Sequence, residues 1–365
     1  MPAVVEVCHL VGRLSGRHTP PAAGRQIEWA GQPDGLGFQA GELTARRMSR
    51  LVVITNYQAG RNRSRPETIR ALTEGTGAEC LEASDLASIL AATREAAARR
   101  PDILAVNGGD GTVHAVFSEL MRGDVRPQEL AVIPGGTTNM TANDLNANAP
   151  LEDSIRDLGV QAGVAAERRR RVYRPFLRVI GASGGPQFGF FLGAGVILDG
   201  MEHFRSKVGS HGLRGEFAAG ISLLQGLAKL SRAEGAWAAS HDISFLPDGC
   251  EISRTNQILF MATSLERMLL GLTPWWGKQA APIHVTALRR KPKALIRRSR
   301  ALLRGKPRGR MSDEDGYYSE NVTGFELKAD GAFALDGEIF TVPAEQPIRV
   351  DATEPVPFLR LADNE

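Results

Sequence analysis

Residues 107–112 have the sequence Asn107-Gly108-Gly109-Asp110-Gly111-Thr112, between the apolar run 102–106 and the helical pattern Val113–Met121. Three glycines remove the side chains that would keep a large anion away from the backbone. The turn exposes backbone N–H groups beside a helix N-terminus, where a phosphate is electrostatically favoured. A glycine-rich turn without a ligand would not need an aspartate. We therefore predict a phosphate-binding loop, with Thr112 capping the helix and Asp110 placing a carboxylate beside the phosphate.

Two further loops follow apolar strands in the same half of the chain. Leu51–Thr55 leads into Asn56-Tyr57-Gln58-Ala59-Gly60, and Leu130–Ile133 leads into Pro134-Gly135-Gly136-Thr137-Thr138-Asn139 and a short helix. A helix over Asp85–Arg100, capped by Ser84, lies between the first strand and the second. This alternation predicts a parallel sheet with helices on both faces. Ligands bind beyond the carboxyl ends of such strands, so the three loops are expected to converge.

The pattern changes near residue 172. Tyr173–Ile180 and Gln187–Leu192 flank Gly184-Gly185-Pro186 and predict a hairpin. Further strands are expected, with one helical region over Leu213–Leu230, and we predict a mostly antiparallel β domain; the strands are 257–263, 283–287, 322–328 and 332–335. The predicted organisation is a poorly patterned extension (1–48), an α/β nucleotide-binding domain (49–172), a β-rich substrate domain (173–355) and a tail (356–365).

The composition is that of a globular protein with room for two domains, since 42% of its 365 residues are apolar and 23% are charged. Three scattered cysteines exclude a disulfide framework and a zinc-binding spacing, which favours a reducing cytoplasm. The N-terminus lacks the pattern of a signal peptide. The most continuous apolar stretch, Phe188–Leu198, is too short to cross a bilayer.

Charge is concentrated in one segment. From Arg267 to Ser312 there are thirteen Lys or Arg residues and no Asp or Glu, although the whole chain has a net charge of only +3. The rest of the chain is therefore net acidic. The basic segment 289–310 also carries leucines near one helical face, and Trp275 and Trp276 precede it.

The set of loops resembles the diacylglycerol kinase catalytic family, which includes bacterial soluble lipid kinases and the sphingosine and ceramide kinases. The resemblance covers about residues 49–352. It is carried, in the order of the family, by residues 56–60, Gly108–Thr112, residues 134–139, Gly193-Ala194-Gly195 and Leu335-Asp336-Gly337-Glu338.

The resemblance implies an α/β plus β fold, with an N-terminal NAD-kinase-like, doubly wound nucleotide-binding domain and a C-terminal β-sandwich domain. It implies transfer of the γ-phosphoryl group of ATP, with Mg²⁺, to a hydroxyl of a diacylglycerol- or sphingoid-type lipid. Asp336 is the expected base, Glu338 an orienting or metal-linked carboxylate, and Asp110 a rival base or a member of the Mg²⁺–water network. The expected nucleotide-binding residues are Asn56, Gly60, Gly108, Gly109, Asp110, Gly111, Thr112, Gly136, Thr137 and Asn139.

Three positions depart from the pattern of the family. Met140 stands where the family usually has an aspartate, and the Asn143-Asp144 pair follows about one helical turn later. Ala281-Pro282 lies where bacterial members place an Asp-Gly metal site, so the metal ligands stay unassigned. Tyr57 replaces a proline.

The basic segment 289–310 is expected to meet an anionic membrane surface, because anionic lipid attracts Lys and Arg. The alternative is a solvated helix packed by its leucines. No nucleic-acid motif accompanies the charge, so nucleic acid is not an expected partner. The alternatives for function are a small-molecule, NAD-type kinase of the same fold, or an inactive nucleotide-binding regulator at a membrane. The sequence predicts neither the acceptor lipid nor the oligomeric state.

Overall fold

The structure is a computed structural model. It describes residues 50–123, 127–137, 139–145, 149–207, 242–268, 271–306, 311–329, 331–342 and 346–361. All of these belong to one compact unit, Arg47–Glu365. The predicted extension over residues 1–48 and the predicted helical region Leu213–Leu230 lie outside the described residues.

The strands of the described residues, in chain order, are β1 (Leu51–Asn56), β2 (Glu79–Ala83), β3 (Ile103–Gly108), β4 (Glu129–Pro134), β5 (Arg171–Arg174), β6 (Leu177–Ile180), β7 (Gln187–Gly189), β8 (Phe191–Gly195), β9 (Ile243–Pro247), β10 (Arg254–Thr263), β11 (Ile283–Arg289), β12 (Tyr317–Val322), β13 (Gly324–Lys328), β14 (Ala332–Leu335), β15 (Glu338–Thr341), β16 (Ile348–Ala352) and β17 (Val356–Leu359). The α-helices are α1 (Pro66–Gly75), α2 (Leu86–Arg99), α3 (Asp110–Arg122), α4 (Met140–Asp144), α5 (Leu151–Gly163), α6 (Val196–Lys207) and α7 (Leu295–Leu303). In the part of the chain that the structure describes, Ala166–Arg168 and Asp313–Asp315 form 3₁₀ turns. Within these residues, no helix combines the length and the apolar character needed to cross a bilayer.

The first sheet has the strand order β2-β1-β3-β4-β17-β5. Its strands are parallel except β5, which runs antiparallel to β17. Helices α2 and α3 pack together, as do α1 and α5. The connections from β1 to β2 and from β2 to β3 run in opposite directions along the sheet, so right-handed crossovers place the two pairs on opposite faces. Because both faces are covered, β1, β3 and β4 are almost wholly buried and read as continuous apolar runs.

The second sheet is antiparallel and folds back on itself. Strand β10 pairs with β11 along its length, with β8 over Leu259–Thr263 and with β9 near its beginning. One layer is β15-β14-β8-β10-β11-β12 and the other is β9-β13-β16-β6-β7. Both layers line one apolar core, in which the ring centroids of Phe260 and Phe325 are 5.1 Å apart. The predicted fold class, a doubly wound domain followed by a β-sandwich, is confirmed.

Several predicted boundaries change. Helix α2 is capped by Asp85 rather than Ser84, because the Asp85 carboxylate accepts from Ser88 N at 2.8 Å. The predicted run Tyr173–Ile180 is divided between β5 in the first sheet and β6 in the second. The prediction of a tail over 356–365 is wrong for Val356–Leu359, which form β17 inside the first sheet.

Candidate active site

The three glycine-containing loops meet at the carboxyl ends of β1, β3 and β4, as the parallel sheet predicts. A Cβ on Gly60 would lie 2.6 Å from Thr137 Cγ2, and one on Gly136 would run into Gly109 Cα. Arg61 N donates to Gly135 O at 2.8 Å. Loop 56–60 therefore packs on loop 134–139, which packs on loop 107–112, and side chains at Gly109 or Gly136 would separate them.

Hydrogen bonds of asparagine side chains also join these loops. Asn62 is fully buried, and its Nδ2 donates to Asn56 O at 2.8 Å and to Asn107 Oδ1 at 3.0 Å. Asn56 Nδ2 donates to Thr112 Oγ1 at 2.9 Å, while its Oδ1 accepts from Gln58 N. The prediction that Thr112 caps α3 is wrong, because the N-cap is Gly109 and the Thr112 hydroxyl accepts from Asn56 instead.

The N-terminus of α3 is open to an anion. Its N-cap is Gly109, and none of the side chains that the structure describes caps it. The first turn of a helix leaves N–H groups without backbone acceptors. Gly108 is packed against Thr112, whereas a Cβ on exposed Gly111 would meet no atom within 4 Å. The open space above Gly111 and the uncapped N–H groups together form a cradle for phosphate.

The third loop is closed by Asn139. This residue has a left-handed backbone, with φ of 51°, and its side chain accepts from Gly136 N at 2.8 Å and donates to Gly136 O at 2.9 Å. The amide of Thr141, in α4, donates to Asp110 Oδ1 at 3.2 Å. Burial raises the pKa of Asp110, and the nearby charge of Asp336 raises it further, while the backbone N–H groups of residues 139–141 lower it. Thr137 is exposed beside Gly60.

Asp336 reaches this edge from the second sheet. Asp336 and Gly337 are the central residues of the two-residue turn between β14 and β15, with φ of 48° and 93°. An Asp-Gly turn is usually a surface feature, but the Asp336 side chain is only 5% exposed. Its Oδ1 accepts from Phe190 N at 3.0 Å and from Phe191 N at 2.8 Å. The turn therefore presents a fixed carboxylate rather than a solvated one.

His114 is the residue at this site that the sequence did not assign. Its Nδ1 lies 3.3 Å from Asp336 Oδ2, and its side chain is 8% exposed. A contact across 222 positions leaves no local pattern in the sequence, and a helical histidine lies on the helix surface by default. The only signal was the spacing of four between Asp110 and His114, which places both on one face of α3.

An aromatic cluster fixes α3 against the segment that holds Asp336. Phe117 of α3 lies 5.7 Å from Phe176, 6.3 Å from Phe190 and 5.6 Å from Phe358, measured between ring centroids. Ser118 Oγ donates to Phe188 O at 2.6 Å. Because Phe190 N is itself a donor to Asp336, the helix behind the phosphate loop and the carboxylate share one rigid support.

The remaining predicted carboxylates do not join this cluster. Glu338 is exposed, pairs with Leu335 across the turn, and does not continue a strand from Asp336. Asp144 is fully buried and accepts from Arg174 Nε and from the backbone of Glu266 and Arg267, each at 2.8 Å. It therefore joins α4 to the segment after β10 and does not replace a carboxylate at Met140.

The first loop also accommodates its departure from the family. The amide of Tyr57, which a proline would lack, donates to Ala83 O at 3.3 Å. The guanidinium of Arg70 lies 5.5 Å from the centre of the Tyr57 ring, and burial raises the pKa of Tyr57 to about 12. The tyrosine thus fixes the loop to β2 and α1.

Among the residues that the structure describes, no three acidic, histidine or cysteine side chains form a group that could hold a metal ion. The position that the resemblance indicates for a metal site, Ala281-Pro282, carries no carboxylate. The described residues therefore offer no cluster of three protein ligands for a structural Mg²⁺.

Residues 50–166 match the diacylglycerol kinase catalytic domain. This match confirms the resemblance predicted from the loops over that segment. No curated protein sequence matches the chain.

The fold is similar to that of solved proteins from Bacillus anthracis. A crystal structure of a diacylglycerol kinase from that organism has 16% identity and a TM-score of 0.57, covering 86% of this chain and 97% of the other. A second Bacillus anthracis protein, provisionally described as a diacylglycerol kinase, has 17% identity and a TM-score of 0.60, with 86% and 95% covered. At these identities the likeness shows a shared fold.

Proposed function

We propose, from the diacylglycerol kinase catalytic domain matched over residues 50–166, that this protein is an ATP-dependent lipid kinase. The observation that carries the proposal joins groups from the two sheets. The uncapped N-terminus of α3 belongs to the first sheet, and the buried carboxylate of Asp336 comes from the second. The acceptor we propose is a hydroxyl of a diacylglycerol- or sphingoid-type lipid.

In this proposal the chain contributes position and charge, as phosphoryl transfer requires. The backbone N–H groups of the first turn of α3 hold the phosphates of ATP over Gly111. The acceptor hydroxyl oxygen bonds to the γ-phosphorus while the bond from that phosphorus to the bridging oxygen breaks, and ADP leaves. The hydroxyl proton passes to the carboxylate of Asp336. Asp110 is the rival base: burial raises the pKa of its carboxyl, while its Oδ1 accepts from Thr141 N of α4.

Mg²⁺ enters this proposal only as an ion carried by the triphosphate, which is its usual mode in enzymes that transfer phosphoryl groups. The bound ion would neutralise phosphate charge. No step above depends on a protein-built metal site.

The proposal is tested with radiolabelled ATP and a panel of acceptors comprising diacylglycerol, a sphingoid base, ceramide and NAD, each in mixed micelles or buffer as its solubility requires. We expect label in a lipid product, and Asp336→Asn is expected to retain ATP binding while losing roughly 100-fold or more in kcat. Label in NAD instead would support the small-molecule kinase. ATP binding with no transfer to any acceptor, by wild type and Asp336→Asn alike, would support the inactive regulator.

We propose in addition that α7 contacts an anionic membrane surface. Part of the charge around it is already balanced: Asp315 pairs with Lys293 and Arg298, each at 3.0 Å, and these contacts lower its pKa. Leu295 and Leu302 are buried in the protein, so α7 would bind through charge rather than by inserting leucines. The exposed arginines Arg297, Arg300 and Arg304 follow helical spacing and would face the lipid.

The two tryptophans before α7, Trp275 and Trp276, are partly buried and contact the protein. Trp276 packs against the buried cluster beneath α7, and Trp275 stacks on His284 with ring centroids 4.7 Å apart. The expected binding is therefore sensitive to salt, because exposed charges are screened.

Flotation with phosphatidylcholine vesicles, with and without phosphatidylserine, tests the surface. Each Lys or Arg near an anionic membrane contributes about 1 kcal/mol, so changing Arg297, Arg300 and Arg304 together to Gln should weaken partitioning by roughly 100-fold. Changing the exposed Arg100, Arg168 and Lys328 to Gln removes the same charge elsewhere and should have little effect. Equal loss in both triple variants would refute a local surface on α7.

A further inference from the structure

We propose that His114 is a positioning residue, which holds the Asp336 carboxylate in a fixed position relative to the phosphate loop, residues 107–112. The inference rests on the lipid kinase activity proposed above. It adds His114 to a site that so far consists of Asp336 and the glycine-containing loops. It starts from the buried contact of 3.3 Å between His114 Nδ1 and Asp336 Oδ2.

His114 lies on α3, so its contact with Asp336 links the carboxylate to the helix that follows the phosphate loop. Asp110, His114 and Ser118 are spaced by four and therefore lie on one face of the helix. Along this face, Asp110 accepts from the backbone of α4, His114 contacts Asp336, and Ser118 donates to Phe188 O. A single helix thus carries the phosphate cradle at its N-terminus and, one turn later, a donor to the proton-accepting carboxylate.

The hydrogen bonds of Asp336 show what His114 adds. Oδ1 accepts from Phe190 N and Phe191 N, whereas Oδ2 shares the Phe190 amide at 3.0 Å and faces His114. The two amides belong to residues 190 and 191, where β7 leads into β8, and they reach α3 only through the packing of Phe190 on Phe117 and the bond from Ser118 to Phe188 O. His114 instead joins the carboxylate to α3 by a direct contact between side chains. A carboxylate near Nδ1 fixes the tautomer that donates from that nitrogen.

The packing of the His114 ring and its hydrogen bond involve different neighbours and can be tested separately. Phe340 of β15 lies 6.3 Å from the imidazole, centroid to centroid, so the ring also fills space. A substitution that keeps the donor but loses the ring can therefore be compared with one that keeps the ring and loses the donor.

The experiment compares His114→Asn with His114→Phe. The asparagine amide can donate from near the position of Nδ1, while phenylalanine keeps the ring beside Phe340 without a donor. We expect His114→Phe to lower kcat roughly 10- to 100-fold, the range for losing a hydrogen bond to a charged group, with the KM for ATP nearly unchanged. His114→Asn should retain most of kcat. Full activity in His114→Phe, or equal losses in both variants, would overturn the inference.

A second measurement makes the inference independent of catalysis. Urea unfolding of wild type, His114→Phe, Asp336→Asn and the double variant forms a cycle that isolates the coupling between the two side chains. We expect the double variant to be more stable than the sum of the single losses predicts. If wild type phosphorylates no acceptor yet the coupling is present, the proposed function fails and the contact stands. If the acceptor is phosphorylated and no coupling is found, the inference fails alone.

Discussion

At the scale of single residues, the site depends on glycines whose missing side chains make room for other groups. Gly189, at the end of β7, is the sharpest case. A Cβ there would lie 2.6 Å from Asp336 Oδ2 and 2.7 Å from Leu335 Cγ. The backbone of Gly189 is not in the left-handed region, so contact alone excludes a side chain. The position of the carboxylate is thus set by a residue that makes no hydrogen bond to it.

Gly189→Ala is therefore expected to displace the Asp336 carboxylate and to lower kcat by roughly 100-fold, because a shift of about 1 Å in a reacting group costs that much. The KM for ATP should change little, since Gly189 is on the Asp336 side of the cleft. The measurement is steady-state kinetics with the acceptor identified by the labelled-ATP panel. Gly75→Ala, in α1, meets no atom within 4 Å and serves as the control. Unchanged kinetics in Gly189→Ala would show that Asp336 does not need its present position.

Asp110 predicts a dependence of stability on pH. Burial raises its pKa in the folded protein above the unfolded value of about 3.9. The folded state then holds the proton more tightly, so the contribution of Asp110 to stability is greatest below the unfolded pKa and is lost as pH rises through the folded pKa. Asp110→Asn removes this loss and keeps an oxygen for Thr141 N. We expect the variant to be more stable than wild type at pH 7, with the difference vanishing toward pH 3.

Urea unfolding with EDTA and without nucleotide measures this difference across pH. Asp85 provides a control of opposite sign, because the backbone hydrogen bond from Ser88 lowers its pKa. Asp85→Asn should therefore lose stability relative to wild type as pH rises above the folded pKa of Asp85. A pH-independent effect of Asp110→Asn would contradict the assigned cause.

At the scale of elements, the loops after β3 and β4 contain two kinds of glycine. Gly136 is closed in by Gly109 Cα and Asn139 Oδ1, whereas Gly111 faces open space. A glycine of the first kind, such as Gly136, is required for the loops to pack together. Packing within the protein does not require a glycine at Gly111, so the effect of substituting it reports on a bound ligand.

Gly111→Ala should leave the protein folded and at least as stable, because alanine is favoured over glycine in a helix by about 1 kcal/mol. It should nevertheless weaken ATP binding by 10-fold or more, on the order of the cost of placing a methyl group against a bound phosphate. Gly136→Ala should lose both stability and binding. Calorimetric titration with ATP and thermal unfolding separate these outcomes. Normal ATP affinity in Gly111→Ala would place the triphosphate elsewhere.

The elements also show how far the sequence could lead. The loops after β1, β3 and β4 were predictable because glycines, preceding apolar runs and following helical patterns are all local. The role proposed for Asp336 came from the resemblance to the family, since an Asp-Gly turn by itself indicates only a turn. His114 was missed because its partner lies on another sheet. β17 was missed because it has four residues and contains Pro357, and proline argues against an interior strand.

At the scale of the whole molecule, the chain returns to its first sheet at its C-terminal end. β17 lies between β4 and β5, and Phe358 in this strand is fully buried with its ring 5.6 Å from that of Phe117. The helix that carries the phosphate loop is therefore supported by residues some 240 positions away. Folding of the nucleotide-binding half cannot be completed by residues 50–174 alone.

A chain that ends at Pro355 should accordingly lose stability and ATP binding as well as its last residues. Removing β17 exposes the edges of β4 and β5, and the loss of buried Phe358 alone costs about 3 to 5 kcal/mol. We expect a lower unfolding midpoint and weak or absent ATP binding, because the aromatic support of α3 is gone while every loop residue remains. A chain that ends at Leu361 keeps β17 and the buried Leu361, and it should match the full chain in both measurements. If the chain ending at Pro355 bound ATP normally, residues 50–174 would support the phosphate loop without β17. The two halves of the chain would then be coupled only on the side that holds Asp336.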